Sequence, residues 1–254
     1  MRVLLLGGTA EARALAEQLH PDVDIISSLA GRVPDPALPA GLIRIGGFGG
    51  VEGLRDWLVD NDITAVVDAT HPFAATMTAN AAQACAEVGL PHLVLHRPPW
   101  DPAGATMVRS DTEAAEVVAA KGYSRVFLTT GRSGVVAFAD SDAWFLIRVV
   151  TAPDAAVQPR NHELVFSRGP YHYDSECELL RSRGIEVLVT KNSGGALTEA
   201  KLDAARDLDV DVIMIDRPAL PARVKVVDSV QEAVDWLKAL KPTRQEPPIQ
   251  RAGP

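Results

Sequence analysis

The sequence lacks the features that mark several large protein classes. It has two cysteines, Cys85 and Cys177, in 254 residues. That is too few for a disulfide framework, and they lack metal-ligand spacing, so both read as reduced thiols of a cytoplasmic protein and no metal is expected. No run of about 18 uncharged apolar residues occurs. Glu11 and Arg13 interrupt the N-terminus before a signal-peptide apolar region is complete, so the chain is expected neither to cross a membrane nor to be secreted. Positive charge is also scarce: 25 Lys and Arg stand against 33 Asp and Glu, a formal net charge of −8. Neutralising nucleic-acid phosphates needs an excess of exposed cations, so general nucleic-acid binding is excluded while a local basic pocket is not.

What is present is an alternation of short apolar runs with helix-like segments. Arg2 to Leu6 ends in Gly7-Gly8-Thr9, and Ala12, Leu15, Ala16 and Leu19 then follow at helical spacing, which reads as strand, tight turn, helix. The pattern continues with strands at 23–27, 42–45, 65–68 and 92–95, and with helices at 54–59 and within 74–88. Continuous apolar strands separated by helices imply a parallel sheet covered on both faces, and right-handed crossovers make it doubly wound.

The second half repeats the first. Val67-Asp68-Ala69-Thr70 and His96-Arg97-Pro98 reappear 120 residues later as Val187-Leu188-Val189-Thr190 and Asp216-Arg217-Pro218. After each Arg-Pro come a short strand and a capping box, Ser110 to Glu113 and Ser229 to Glu232. In such a box the serine caps the third helical N–H and the glutamate reaches back to the serine N–H. Ser175 to Glu178 reads as another. Two similar α/β units are expected, 1–103 and 104–240. The strand and helix at 105–120 and at 222–240 either pack in their own unit or exchange with their twin. Residues 241–254 hold four prolines and are expected to form a disordered tail.

Polar residues gather at the carboxyl ends of these strands, where open α/β sheets bind ligands. Gly7, Gly8 and Thr9 occupy the first phosphate-loop position, although the G-x-G-x-x-G spacing is missing and a plain strand-to-helix turn would look similar. The second strand lacks the acidic residue that usually meets a ribose 2′-hydroxyl. Ser28, Gly31 and Arg32 stand there instead, and a guanidinium suits a 2′-phosphate unless Arg32 is merely a solvated loop residue. Gly47 belongs to a second glycine turn, Gly46 to Gly50. Thr70 and His71 emerge before the next helix, His71 reading either as a hydrogen-bond donor to a ligand or as a helix-capping residue. In the second half Gly131 and Arg132, then Lys191, Asn192 and Ser193, hold the equivalent strand ends, while Arg168 and Tyr171 lie in a Pro- and Gly-containing stretch that is either a binding loop or a connector.

Several of these motifs together resemble the precorrin-6A reductase family of cobalamin biosynthesis: Gly-Gly-Thr-x-Glu-Ala at 7–12, Ser-Leu-Ala-Gly-Arg at 28–32, Asp-Ala-Thr-His-Pro-Phe-Ala at 68–74, Thr-Gly-Arg at 130–132, Gly-Pro-Tyr at 169–171 and Thr-Lys-Asn-Ser-Gly-Gly at 190–195. The resemblance implies two Rossmann-like domains holding NADPH between them and reducing one double bond of the precorrin-6A macrocycle to give precorrin-6B. The expected cofactor contacts are Gly7, Gly8, Thr9, Ser28, Gly31, Arg32, Gly47, Thr70, Gly131, Arg132, Asn192 and Ser193. Arg132, Arg168, Tyr171 and Lys191 are expected to meet the macrocycle, whose acetate and propionate groups call for placed cations. His71 is the first candidate for orienting the reacting groups or donating a proton, its unperturbed pKa lying near 6.5, and Lys191 is the second, as an electrostatic stabiliser. The alternatives are a non-catalytic NADP(H) sensor and an oxidoreductase for a smaller anionic substrate. A monomer or small homo-oligomer is expected, and the cobalt state of the substrate is left open.

Overall fold

The computed structural model describes residues 1–31 and 38–240. The expected tail and Arg32 lie outside them. The first half runs β1 (Arg2–Leu6), α1 (Ala10–Leu19), β2 (Asp24–Leu29), β3 (Leu42–Ile45), α2 (Gly50–Asp60), β4 (Ala65–Asp68), α3 (Ala75–Val88) and β5 (His92–Leu95). Then come β6 (Thr106–Val108), α4 (Asp111–Lys121), β7 (Arg125–Leu128), a 3₁₀ turn at Arg132–Phe138, β8 (Trp144–Val149) and β9 (His162–Phe166). The chain finishes with α5 (Tyr173–Ser182), β10 (Val187–Lys191), α6 (Ala200–Asp207), β11 (Asp211–Ile215), β12 (Lys225–Val227) and α7 (Val230–Leu240).

These strands form two six-stranded sheets, ordered β12-β5-β4-β1-β2-β3 and β6-β11-β10-β7-β8-β9. Every pairing is parallel. The doubly wound α/β expectation therefore holds in both units. Because side chains alternate across a strand, Val3 and Leu5 enter the core under α1, whereas Leu4 and Leu6 enter the one under α2 and α3. The second sheet is likewise covered on both faces, by α4 and the 3₁₀ turn on one side and by α5 and α6 on the other.

Each sheet takes its sixth strand from the other repeat: β12, which follows the second Arg-Pro, joins the first sheet, and β6, which follows the first Arg-Pro, joins the second. Lys225, Val226 and Val227 of β12 pair with Leu93, Val94 and Leu95, while β6 pairs with β11 through Thr106, Met107 and Val108. The helices travel with their strands: Ala233, Val234 and Leu237 of α7 pack with Val3, Leu5 and Leu15, and Ala114 and Val118 of α4 join the core of the second sheet. The linker after β5 accounts for this choice. Trp100 is buried in the second unit's core, its N–H donates to Asn192 Oδ1 at 2.8 Å and its indole N–H to the Gly195 carbonyl at 3.2 Å. The chain is thereby committed to the second sheet before β6 begins.

Two local expectations need correction. In both exchanged helices the serine does cap the third helical N–H, Glu113 N to Ser110 Oγ at 3.0 Å and Glu232 N to Ser229 Oγ at 3.3 Å. The glutamates accept from the residue before the serine, Arg109 N at 2.7 Å and Asp228 N at 3.2 Å, Glu232 also interacting with the expected Ser229 N–H. The box expected at Ser175 does not form: α5 opens at Tyr173 with His172 at its N-cap. Glu176, in that first turn, is drawn into a bidentate pair with Arg148.

Candidate functional site

The carboxyl ends of the two sheets face a shared cleft that divides into two cavities. One, about 590 Å³, lies against the first unit between the Gly7-Gly8 turn, Ser28, the Gly46-Gly47 turn and Thr70. The other, about 420 Å³, lies between the units and draws its walls from the ends of β1, β4, β7, β8, β9 and β10. Gly8 and His71 line both, so the junction is at these two residues.

The first cavity is built like an anion cradle. Gly7 N donates to the Ser28 carbonyl at 3.0 Å, tying the turn to β2. Gly8 adopts φ +113, which an L side chain rarely takes, and the space its side chain would fill is open. Thr9 caps α1, accepting from Ala12 N at 3.1 Å and donating to the Ala69 carbonyl at 2.7 Å, so its hydroxyl shapes the turn. Glu11 would repel an anion at this helix N-terminus, but Arg97 Nη1 holds its carboxylate at 2.8 Å. At the far end Arg44 donates to the Gly46 and Gly47 carbonyls at 2.6 and 2.7 Å and stacks 3.7 Å over Phe48. Gly31 sits at φ +69 with Ile45 where a side chain would go, which makes it a backbone requirement of the β2 exit.

At the end of β4 the buried Asp68 accepts from Thr70 N at 3.0 Å and from the Thr70 hydroxyl at 2.6 Å, fixing the turn that presents His71. The helix starts at Ala75, within the expected 74–88, and its N-cap is Ala74, so His71 is not its capping residue. His71 Nδ1 accepts from Phe73 N at 3.3 Å, which puts the ring proton on Nε2. The residue is exposed and its ring opens onto the cleft, where neighbouring protein atoms take the place of part of its water. Loss of water, then Arg97, Lys191 and Arg217, lower its pKa to about 4, with Glu11 opposing. That value lies below the unperturbed one near 6.5, so at neutral pH His71 is an uncharged donor.

The opposite wall belongs to the second unit. Lys191 donates to the Thr130 carbonyl at 3.0 Å and pairs with Asp111 at 3.3 Å. Asp111 opens α4, so this contact crosses onto the exchanged segment. Thr130, Gly131, Ser193, Arg168 and Tyr171 also line the cavity. Two of the expected contacts are not among the residues that line this cavity. Asn192 turns away from the cleft, its amide bonded to Trp100 at both ends and its carbonyl to Arg217 Nε at 2.7 Å. Arg132 is exposed at the start of the 3₁₀ turn and stands outside the cavity lining, because Gly131, at φ +80, redirects the chain.

The family model described as precorrin-6x reductase CbiJ/CobK matches residues 2–238. The chain belongs to this family. It is 69% identical to a precorrin-6A reductase of Mycobacterium tuberculosis over 94% of this chain and 98% of that one. It is 30% identical to a cobalt-precorrin-6A reductase of Priestia megaterium over 86% and 91%. Among solved structures, a CobK precorrin-6A reductase superimposes with TM-score 0.86 at 41% identity, covering 94% of this chain and 96% of that one. The chain thus stands among the oxidoreductases of cobalamin biosynthesis, and the family's use of a reductant suits a cleft with one glycine-lined cavity and one cation-lined cavity.

Several residues in or behind this cleft escaped the sequence reading. Arg97 and Arg217 marked the repeat but were not taken as functional; Arg97 bridges Glu11 to the Ser193 carbonyl at 2.7 Å. Arg148 sits in the otherwise apolar strand Trp144–Val149 and is buried, a signal in itself, since a charge inside a central strand demands a partner. Lys201 is buried in the first turn of α6, where the helix dipole opposes a cation. Both line the inter-sheet cavity.

Proposed function

We propose that this chain reduces precorrin-6A to precorrin-6B with NADPH, the reduced dinucleotide lying in the first-unit cavity and the macrocycle in the cavity between the units. The meeting of both cavities at His71 and Gly8 carries this reading, because hydride donor and acceptor must touch. Gly7, Gly8 and Thr9 suit the pyrophosphate: the backbone is bare at Gly8 and the helix N-terminus behind it favours an anion once Arg97 neutralises Glu11. When bound, NADPH supplies the hydride. We assign the ribose end to Ser28, Gly31 and Gly47, and the 2′-phosphate to Arg32. Neutral His71 orients a reacting group through Nε2–H, and Lys191, fixed by Asp111 and Thr130, stabilises charge developing on the macrocycle. Arg168 and Tyr171 meet the substrate from the second unit. We take the substrate as cobalt-free, in keeping with 69% identity to the precorrin-6A enzyme against 30% to the cobalt-precorrin-6A enzyme. A cytoplasmic location accords with two buried free thiols.

The test is a coupled spectroscopic assay of the full chain with precorrin-6A and either NADPH or NADH. The expected outcome is cofactor oxidation matched by a spectral change of the tetrapyrrole, much faster with NADPH. Cofactor binding without either change would overturn the proposal.

A further inference from the structure

At the end of β4 the fold fixes the hydrogen-bonding polarity of two consecutive side chains. Thr70 and His71 both line the first-unit cavity, and His71 also lines the one between the units. The Thr70 hydroxyl has a single proton, and it goes to Asp68 Oδ1 at 2.6 Å, the same oxygen that accepts from Thr70 N at 3.0 Å. Asp68 is 1% exposed, and its Oδ2 is buried without a partner among the described residues, so no competing donor draws the carboxylate away from Thr70. A hydroxyl whose proton is committed offers a ligand only lone pairs. His71 is the reverse: Nδ1 accepts from Phe73 N at 3.3 Å, which leaves Nε2–H as a donor.

We propose that Asp68 sets Thr70 as an acceptor beside the His71 donor, and that this pair reads the carboxamide of the nicotinamide ring, Thr70 Oγ taking its NH2 and His71 Nε2–H its carbonyl oxygen. This rests on the reading that the reduced dinucleotide lies in the first-unit cavity. A primary amide carries one donor group and one acceptor on the same carbon, so neighbouring residues of opposite polarity match it. A carboxylate offers two acceptors and would set a lone pair against Thr70 Oγ. The hydride-bearing ring must lie where the two cavities join, and His71 stands at that junction.

Asp68 stands outside the linings of both cavities and acts through Thr70, which makes it a positioning residue. An asparagine there keeps an amide oxygen for both Thr70 donors, whereas an alanine removes the acceptor and lets the hydroxyl turn. A ring held at both ends of its carboxamide cannot turn over, so one face of it is presented to the hydride acceptor.

Calorimetric titration of the full chain with NADPH and with its reduced 3-acetylpyridine analogue, in which a methyl group replaces the NH2, reads the pair by binding alone, without macrocycle and without turnover. The wild type is expected to bind the analogue about 10- to 100-fold more weakly, the range for leaving a buried acceptor unpaired. Thr70→Val should weaken NADPH by about that factor and leave the analogue nearly unchanged, which closes the gap between the two ligands, and Thr70→Ser should restore it. Asp68→Asn should keep most of the gap and Asp68→Ala should lose most of it. His71→Leu should weaken both ligands alike, because both carry the carbonyl. Equal binding of the two ligands by the wild type, or an undiminished gap in Thr70→Val, overturns the carboxamide assignment and leaves the cofactor reading standing; if Thr70→Val does not fold, an undiminished gap in Asp68→Ala overturns it equally. A wild type that binds neither ligand overturns the proposed function, and the assignment with it.

Discussion

Three cations, Arg97, Lys191 and Arg217, surround the His71 imidazole, and together with its removal from water, the largest cause, they hold its pKa at about 4. The sign is definite. A depressed imidazole pKa means the neutral ring persists down to that value, so no charge change of His71 falls between about pH 5 and 8. His71→Asn is therefore expected to lower turnover by about 10-fold, as for a lost orienting contact, and not by the 10²–10⁴-fold that removal of a general acid costs. The pH dependence of kcat/KM should keep its shape. A wild-type inflection near pH 6.5 that disappears in the variant would refute the neutral role. The sequence located His71 at a strand end, but not its charge state, because the cations that set it come from distant strand ends and linkers that only the folded chain brings together.

Among elements, strands at Leu42–Ile45, Ala65–Asp68 and His92–Leu95 were legible to the residue, because apolar runs bounded by turn residues have little choice of conformation. Partner choice for β6 and β12 was not. Their local sequences say the same thing, a short strand and then a serine-capped helix, so the strands themselves do not decide. The decision lies in the linkers, where Arg97-Pro98-Pro99-Trp100 offers an indole that the second unit buries and the twin stretch Arg217-Pro218-Ala219-Leu220 offers none. The exchange makes α7 a structural part of the first unit, with Leu237 fully buried against Val3 and Leu15. Leu237→Ala is expected to destabilise the protein by about 2–5 kcal/mol. Its amide exchange should rise first in β1, β4 and β5, and NADPH affinity should fall. Faster exchange confined to β7, β10 and β11 would contradict this.

At the scale of the whole molecule, the acidic balance read from composition and the cationic cleft coexist because the cations are placed individually. Composition argued against general nucleic-acid binding but carried no information about which arginines turn inward. Arg217 shows how the two units are held around the cleft. Its Nε donates to the Asn192 carbonyl at 2.7 Å, one Nη to the Arg97 carbonyl at 2.7 Å and the other to the Pro98 carbonyl at 3.1 Å. It thereby ties both Arg-Pro linkers to the turn after β10, and it stands behind the cavity wall rather than on it. Gly194 completes the lock: at φ +65, any side chain there would strike the Pro98 carbonyl and Arg217 itself. A planar guanidinium spans three carbonyls and a lysine ammonium does not. Arg217→Lys should therefore leave the ligand contacts in place but loosen the spacing between the two cavities, on which hydride transfer depends steeply. The expected result is a 10- to 100-fold fall in kcat, on the order of a 1 Å misplacement, with NADPH affinity nearly unchanged and faster amide exchange across residues 192–195. Wild-type kcat together with unchanged exchange there would show that the units hold their spacing without this clamp.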